Sequence, residues 1–517
     1  MKKLIALVTL ITGTIAMVSC GDDEPTPAGE VTITGIPAAA QVALGDDLVV
    51  TGVTLAAEDG IASFTVSVDG GAAIDLTGDA AGETSITVDV TFPTTGLSTG
   101  LKTLVFTLTD VNGEDVQVQH GLTIAEFGIV NVTENIDSDV TWESNKVYVL
   151  GGRITVLDGA TLTIEPGTVI KGEAGTGANA TALLVARGGT LIADGDPDNS
   201  GNPTPIIFTS VADEITPTNV AAGDYASPNL DPTVNGLWGG VLVLGNARIN
   251  ASVKDDNGDA TGEFSSTVQI EGIPSSDSNG LYGGNTDTDN SGTIRYISIR
   301  HGGANIGNGN EINGLTLGGV GSATTIEHIE IISNQDDGVE WFGGAVNTSN
   351  VVVWNTGDDG VDTDQSYSGT VDNFIVIAAG DEGMELDGPE GPVDGAGALK
   401  EGSHVFTNGT IVGSNDAQTS DGLIDLDDNT GVSLTDIAFI DIVAGQDIDR
   451  VSCPEITGGC PFSGLQLVVP AGSALGDFFD GGVAPAGASA VTTPTVGADA
   501  SVFGWTWTSE AGALSGL

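Results

Sequence analysis

The residues best placed to do chemistry are acidic, and they recur. Asp336-Asp337-Gly338-Val339-Glu340 returns 22 residues later as Asp358-Asp359-Gly360-Val361-Asp362, and after 23 more as Asp381-Glu382-Gly383-Met384-Glu385. Asp364 and Asp387 extend the second and third copies by the same two-residue step, and Asp421-Gly422-Leu423-Ile424-Asp425 is a looser fourth copy. Between His301 and Leu399 stand 17 Asp and Glu residues and no Lys or Arg. Carboxylates that repeat once per lap of a stacked structure stand about 5 Å apart. Each such like-charge contact costs about 1 kcal/mol in water and several near a protein surface. Without local bases, three outcomes are open: proton uptake, solvation with counterion screening, or bound cations. Hard oxygen donors without His or Cys select Ca²⁺ over Zn²⁺. The expected ligands of structural Ca²⁺ are therefore Asp336, Asp337, Glu340, Asp358, Asp359, Asp362, Asp364, Asp381, Glu382, Glu385 and Asp387; the competing readings are solvated Asp-Gly turns and an active site.

Two shorter loops alternate Asp with small residues, Asp194-Gly195-Asp196-Pro197-Asp198 and Asp287-Thr288-Asp289. That spacing aims alternate side chains at one centre, as in the first half of an EF-hand loop, although the twelfth positions hold Pro205 and Ser298 instead of the bidentate Glu. Metal at Asp194, Asp196, Asp198, Asp287 and Asp289 competes with plain insertion turns. Arg300 and His301 stand at a strand end where they can contact a ligand, against a structural corner role. Trp341 and Trp354, with Trp238, have rings suited to sugar stacking, against burial in a core. No Ser-His-Asp set, nucleotide loop or redox motif is present.

The elements that position these groups are strands. The 517 residues include 71 acidic and 13 basic side chains, a formal charge of −58, with 40% hydrophobic residues and 77 Gly. A core can form, and nucleic acid and anionic lipid surfaces, which reward Lys and Arg, are excluded as partners. From Val31 to Ala125, six short alternating runs separated by turns such as Asn112-Gly113 fit an antiparallel sandwich of Ig-like type, with no catalytic feature. After Gly128 very short apolar runs recur without helical periodicity. Tyr296, His328, Asn350, Asn373, Asn408 and Asp436 open equivalent runs at spacings of 32, 22, 23, 35 and 28. A unit of about 22 residues with loop insertions is one lap of a parallel β-helix. Asn350, Asn373 and Asn408 then read as an internal amide ladder, with His328 substituting in it. Cys453 and Cys460 bracket a short Gly-containing loop and are expected to form a disulfide, since no further soft ligand is near.

The stretch Tyr148–Lys171, with Gly236–Asn246 and Phe503–Trp507, resembles a largely uncharacterised group of surface-targeted right-handed β-helix proteins with a pectin-lyase-like fold. The resemblance implies an all-β solenoid over residues 128–517 with a C-terminal cap. Asp-Asp-Gly-x-Asp is similar to the calcium motif of some pectate lyases, in which Ca²⁺ holds a uronate while Lys or Arg removes a proton. Carried over, Asp358, Asp359 and Asp362 are the best-matched ligands. The base is missing, the nearest candidates by chain being Arg300 and Lys400. A polygalacturonase-like hydrolase would need only carboxylates. At the N-terminus, Met1-Lys2-Lys3, an apolar run and Met17-Val18-Ser19-Cys20 resemble a lipoprotein signal with Cys20 lipidated, and Gly21–Glu24 resembles the export signal of Bacteroidota-type surface lipoproteins.

The expectation is an outer-membrane lipoprotein facing outward: signal peptide 1–19, acidic tether 20–30, Ig-like spacer 31–125 and β-helix. The lipid is its sole membrane contact, and it is a monomer. Its expected function is a Ca²⁺-stabilised binding or adhesion module for extracellular polysaccharide. The rivals are a Ca²⁺-dependent lyase or carboxylate-pair glycosidase, and a structural rod.

Overall fold

The structure is a computed structural model describing residues 30–254, 260–274, 276–305, 312–392, 404–456 and 459–517. Cys20, the expected leader and Lys400 lie outside the described residues. The chain forms two compact units that divide between Ala125 and Glu126.

The first unit has two sheets. Val31–Thr34, Leu48–Ala57 and Ser85–Phe92 pair antiparallel. The second sheet runs in the order Ala39–Ala43, Asp115–Ala125, Gly100–Asp110, Ile61–Val68, Ile74–Asp75. Its Ala39–Ala43 strand pairs parallel to Asp115–Ala125, a departure from the purely antiparallel pattern expected. That strand is Ala-rich, so β-propensity does not announce it. Alternation puts Leu55, Phe64, Val66, Phe92, Leu104 and Phe106 into one core. His120 belongs to it, with Nδ1 2.7 Å from the Pro37 carbonyl oxygen.

The second unit is a right-handed parallel β-helix. One long sheet stacks parallel strands from Gly128–Val132 to Ala488–Ala490. A second sheet stacks eight: Arg153–Val156, Ala182–Val185, Val241–Leu244, Leu315–Gly318, Val339–Phe342, Val361–Asp364, Met384–Leu386 and Ile424–Leu426. Register aligns like with like. Ile297, Ile329, Val351, Phe374, Gly409 and Ile437 form one column, and Leu315, Val339, Val361, Met384 and Ile424 another. These apolar columns meet in a single core, each large side chain contributing about 1.5–3 kcal/mol. Gly409 is small by necessity: a Cβ there would collide with the Phe374 ring.

Each later strand of the long sheet bends at a left-handed residue. Tyr296, His328, Asn350, Asn373, Asn408 and Asp436 all have φ between 54° and 58°, and the positions five residues on, His301, Ser333, Asn355, Ala378 and Asp441, have φ between 48° and 59°. Asn and Asp tolerate this backbone best, because a short polar side chain can bond locally. The first column is therefore a corner whose half-buried side chains form only part of the expected ladder. Asn373 donates to Asn350 Oδ1 at 2.7 Å and Asn350 to His328 Nε2 at 3.3 Å, but Asn408 donates to Asp372 instead. Cys453 and Cys460 are disulfide-bonded with Cα atoms 5.6 Å apart.

The final segment does not cap the stack. Ala498 N–H donates to Thr410 Oγ1 at 2.9 Å, Asp499 N–H to Asn373 Oδ1 at 2.6 Å and Thr508 N–H to Glu330 Oε1 at 2.8 Å. Phe503, Trp507 and Leu514 pack on Ile332, Trp354, Ile375 and Val412. The chain thus runs back along the flank toward earlier laps.

Candidate functional site

The strand pattern Val339-Glu340-Trp341 sends its outer residues inward and its middle residue outward, and the following laps repeat it. Register therefore stacks Thr316, Glu340, Asp362, Glu385 and Asp425 in one outward column. A second column occupies the turn before these strands. Asp337 Oδ1 accepts the Asp359 N–H at 2.9 Å, and Asp359 Oδ1 accepts the Glu382 N–H at 2.7 Å. Each of these carboxylates thus ties down the equivalent residue of the next lap. The glycines between the columns are required by space, not by φ. A Cβ on Gly360 would collide with Val376 Cγ1 and stand 2.6 Å from the Gly383 carbonyl oxygen.

The carboxylates crowd. Oxygens of Asp336, Asp337 and Asp358 lie within 4.8 Å of one another, as do those of Asp337, Glu340 and Asp362. Asp337 belongs to both groups. It is 6% exposed, Glu340 6%, Asp359 4% and Asp362 9%. At about 4.8 Å and an effective dielectric near 20, each like-charge pair costs about 3–4 kcal/mol. Burial first, then neighbouring charge, raises the affinity of these groups for protons. Asp337 is raised well above the ordinary range by burial and Asp336, Glu340 by burial and Asp362, and Asp362 by burial and Asp337. Asp359 is pushed up to about 11 by burial and Asp337. Half-exposed Glu382 rises to about 8, by burial and Asp381, and Asp387 to about 7, by burial and Asp427. Asp364 is also raised, by burial and Glu390. Asp358 and Asp381 are exposed, and Glu385 is intermediate.

Tertiary structure adds groups that spacing did not single out. Asn313 donates to Glu340 Oε2. Arg450 pairs with Asp425 and lies 3.8 Å from Asp427, at the last rung of the outward column. Glu271 and Glu390 join Glu340 and Asp364 around a recess of about 440 Å³. These residues come from loops far apart in sequence, and only the stacking of laps brings them together.

The other expected sites resolve differently. Arg295 occupies the first Asp-rich loop as a metal would: Nε bonds Asp194 Oδ1 at 2.7 Å, and the guanidinium also bonds the Asp196 carbonyl oxygen and, at 2.9 Å, Asn199 Oδ1. The Asp196 carboxylate accepts from Ser200 and Gly201, and Asp198 from Ser200. In the second loop Arg248 pairs with Asp287, while Asp289 accepts the Asn246 N–H at 3.0 Å. In each loop an arginine thus pairs with one of the expected ligands, Asp194 in the first and Asp287 in the second. The four suggested ligand contacts also prove structural. Arg300 is 1% exposed, bonded to Ser298 at 2.7 Å and 3.5 Å from Glu330. His301, fully buried, bonds the Val234 carbonyl oxygen. Trp341 lies inside the solenoid, donating to Thr348 Oγ1 at 3.2 Å, and Trp354 packs 6.2 Å from Trp507 beneath the returning chain.

Residues 134–456, more than half of the chain, match the family model described as "Pectate-lyase like beta helix domain". Among solved structures, a family 28 exopolygalacturonase of Yersinia enterocolitica aligns at 9% identity over 85% of this chain and 86% of that one, with a TM-score of 0.15. The catalytic domain of a GH87 α-1,3-glucanase in complex with tetrasaccharides aligns at 11% identity over 85% and 77%, with a TM-score of 0.21. At those scores neither likeness carries an argument about activity. No curated protein matches the chain.

Proposed function

The chain belongs to the pectate-lyase-like β-helix domain family, and from that membership we propose that it is a Ca²⁺-stabilised glycan-binding module. One observation carries the reading: the buried Asp337 is shared by two carboxylate triads in a stretch that has no Lys or Arg. The donor set is composed of hard anionic oxygens, which fits Ca²⁺ and disfavours Zn²⁺. Asp336, Asp337 and Asp358 would hold one ion, and Asp337, Glu340 and Asp362 another. A bound Ca²⁺ supplies the positive charge that offsets their repulsion and offers a hard acid to sugar oxygens. The chain's own part is to hold the carboxylates in register and to present a repeating wall that suits an extended polymer. The leader with Cys20 supports a lipid-anchored location on the outer membrane, facing outward.

Calorimetric titration of Ca²⁺ into chelator-stripped protein tests the metal, and a polysaccharide array with and without Ca²⁺ tests the ligand. Heat of binding together with glycan retention is expected; no heat and no glycan would overturn the reading.

A second reading rests on the recess in which Glu340 and Asp364 stand with Glu271 and Glu390. Two carboxyls whose proton affinities burial has raised can serve as acid and base in glycoside hydrolysis. Of the two candidate bases of the lyase variant, Arg300 is buried and paired with Glu330, and Lys400 lies outside the described residues.

A further inference from the structure

The long sheet carries a recess of about 580 Å³ that uses no residue of the acidic columns. That size falls within the about 300–1,000 Å³ typical of small-ligand clefts. Its walls include Tyr225, Tyr296, His328 and Trp505, with Gly201–Pro203 from an earlier loop. Tyr296 and His328 are consecutive rungs of the first left-handed corner, and their rings stack at 4.1 Å and 10°. Trp505, on the returning segment, meets Tyr296 edge-on at 5.5 Å and 78°. Elsewhere in that column the corner is Asn or Asp, the residues that left-handed backbone tolerates. Bulkier side chains at such positions cost about 1–2 kcal/mol each, and two aromatics in succession are not needed to turn the corner.

The ladder also sets a donor. Asn373 donates to Asn350 Oδ1, leaving Asn350 Nδ2 to donate to His328 Nε2. His328 therefore carries its proton on Nδ1, which is buried and bonds to no described residue; the same is true of the Trp505 indole N–H. Charge around the recess selects among ligands. Arg295, whose guanidinium carbon is 5.8 Å from the Tyr296 ring centre, is committed to Asp194 and Glu327. It is not free for an anion, and Asp196 and Glu327 would repel one.

We propose that this recess binds one ring of a neutral saccharide, packed against the half-buried rings of Tyr296 and His328, with the buried Trp505 holding Tyr296 from behind. The inference rests on the glycan-binding reading above but assigns the contact to residues outside the acidic columns. Stacking of a sugar C–H face on aromatic rings accounts for the composition of the walls, and uncharged hydroxyls suit the anionic surroundings.

The test titrates the purified full chain with neutral cello-, xylo-, manno- and β-1,3-gluco-oligosaccharides, following heat and tryptophan fluorescence. Tyr296→Asn removes the aromatic ring and keeps a residue that the left-handed corner accepts; Tyr296→Phe keeps the ring. Weakening of the best neutral ligand by at least about tenfold in Tyr296→Asn, with Tyr296→Phe within about threefold of the native protein, is expected, and Ca²⁺ binding should be unchanged in both. Undiminished affinity in Tyr296→Asn, or binding of polyuronates with no neutral sugar, would overturn the recess and leave the glycan-binding reading intact. Binding of no saccharide of either kind would overturn both.

Discussion

Replacing Asp337 by Asn should change the sign of its effect with the metal. Asp337 is the carboxylate common to both triads, and it also accepts the Asp359 N–H. Asparagine keeps an oxygen acceptor for that bond and brings an NH₂ group that neighbouring carboxylates can accept. In chelator, Asp337→Asn replaces a buried carboxyl that burial and its neighbours hold largely protonated, and that on ionising would face four other carboxylates at about 3–4 kcal/mol per ionised pair. Partial protonation already relieves much of this, so a net gain of about 1–3 kcal/mol is expected. With Ca²⁺ at about 100 times its dissociation constant, each occupied site of the native protein contributes about 2.7 kcal/mol, or about 5 for two. The β-helix unit, Glu126–Leu517, has an unfolding entropy of about 0.8 kcal/mol per kelvin. The native melting temperature should therefore rise by about 6 °C on Ca²⁺ addition. Asp337→Asn should start about 1–4 °C higher in chelator and gain under 1 °C from Ca²⁺. Differential scanning calorimetry in chelator and in Ca²⁺ reads both. An equal Ca²⁺ response in the two proteins, or a variant less stable than the native chain in chelator, would refute the shared-ligand argument.

Three further outcomes follow from the same geometry. In chelator, stability should fall as pH rises from about 5 to 9. The folded state holds protons on Asp387 and Glu382, at about 7 and 8, that the unfolded chain has lost above about 4. Excess Ca²⁺ should flatten this slope, and a melting temperature that climbs with pH in chelator would contradict it. Gly360→Ala should lose about 1–3 kcal/mol in urea unfolding, because its Cβ meets Val376 and the Gly383 carbonyl oxygen; an unchanged midpoint would mean that the glycine column is not close-packed. If the chain hydrolyses a glycan, Asp364→Asn and Glu340→Gln should each reduce reducing-end release at least a hundredfold. Hydrolysis that survives both would remove the recess as the catalytic centre.

Much of the solenoid was legible because its physics is repetitive. The spacings of 32, 22, 23, 35 and 28 marked one corner of each lap, and the bend there turned out to require the left-handed backbone that Asn and Asp accept. The Asp-Asp-Gly repeats predicted stacked carboxylates, and register aligns Glu340, Asp362 and Glu385. The arginine partners of the Asp-rich loops were not legible, because a local pattern does not reveal a distant partner: Arg295 is 101 residues from Asp194, and Arg248 is 39 from Asp287. Trp341 misled for another reason. It sits one residue after an outward carboxylate, so strand alternation buries it.

Sequence alone determined which residues repeat, and hence which side chains must share a column, because a parallel stack places equivalent positions one strand apart. It also determined the absence of Lys and Arg between His301 and Leu399. Tertiary structure decided which carboxylates are buried together and which loops close around Glu340. It also decided where the last residues go, bringing Trp505 beside Tyr296. Burial and distance depend on how separate laps and insertions fold against one another, and a linear pattern carries neither.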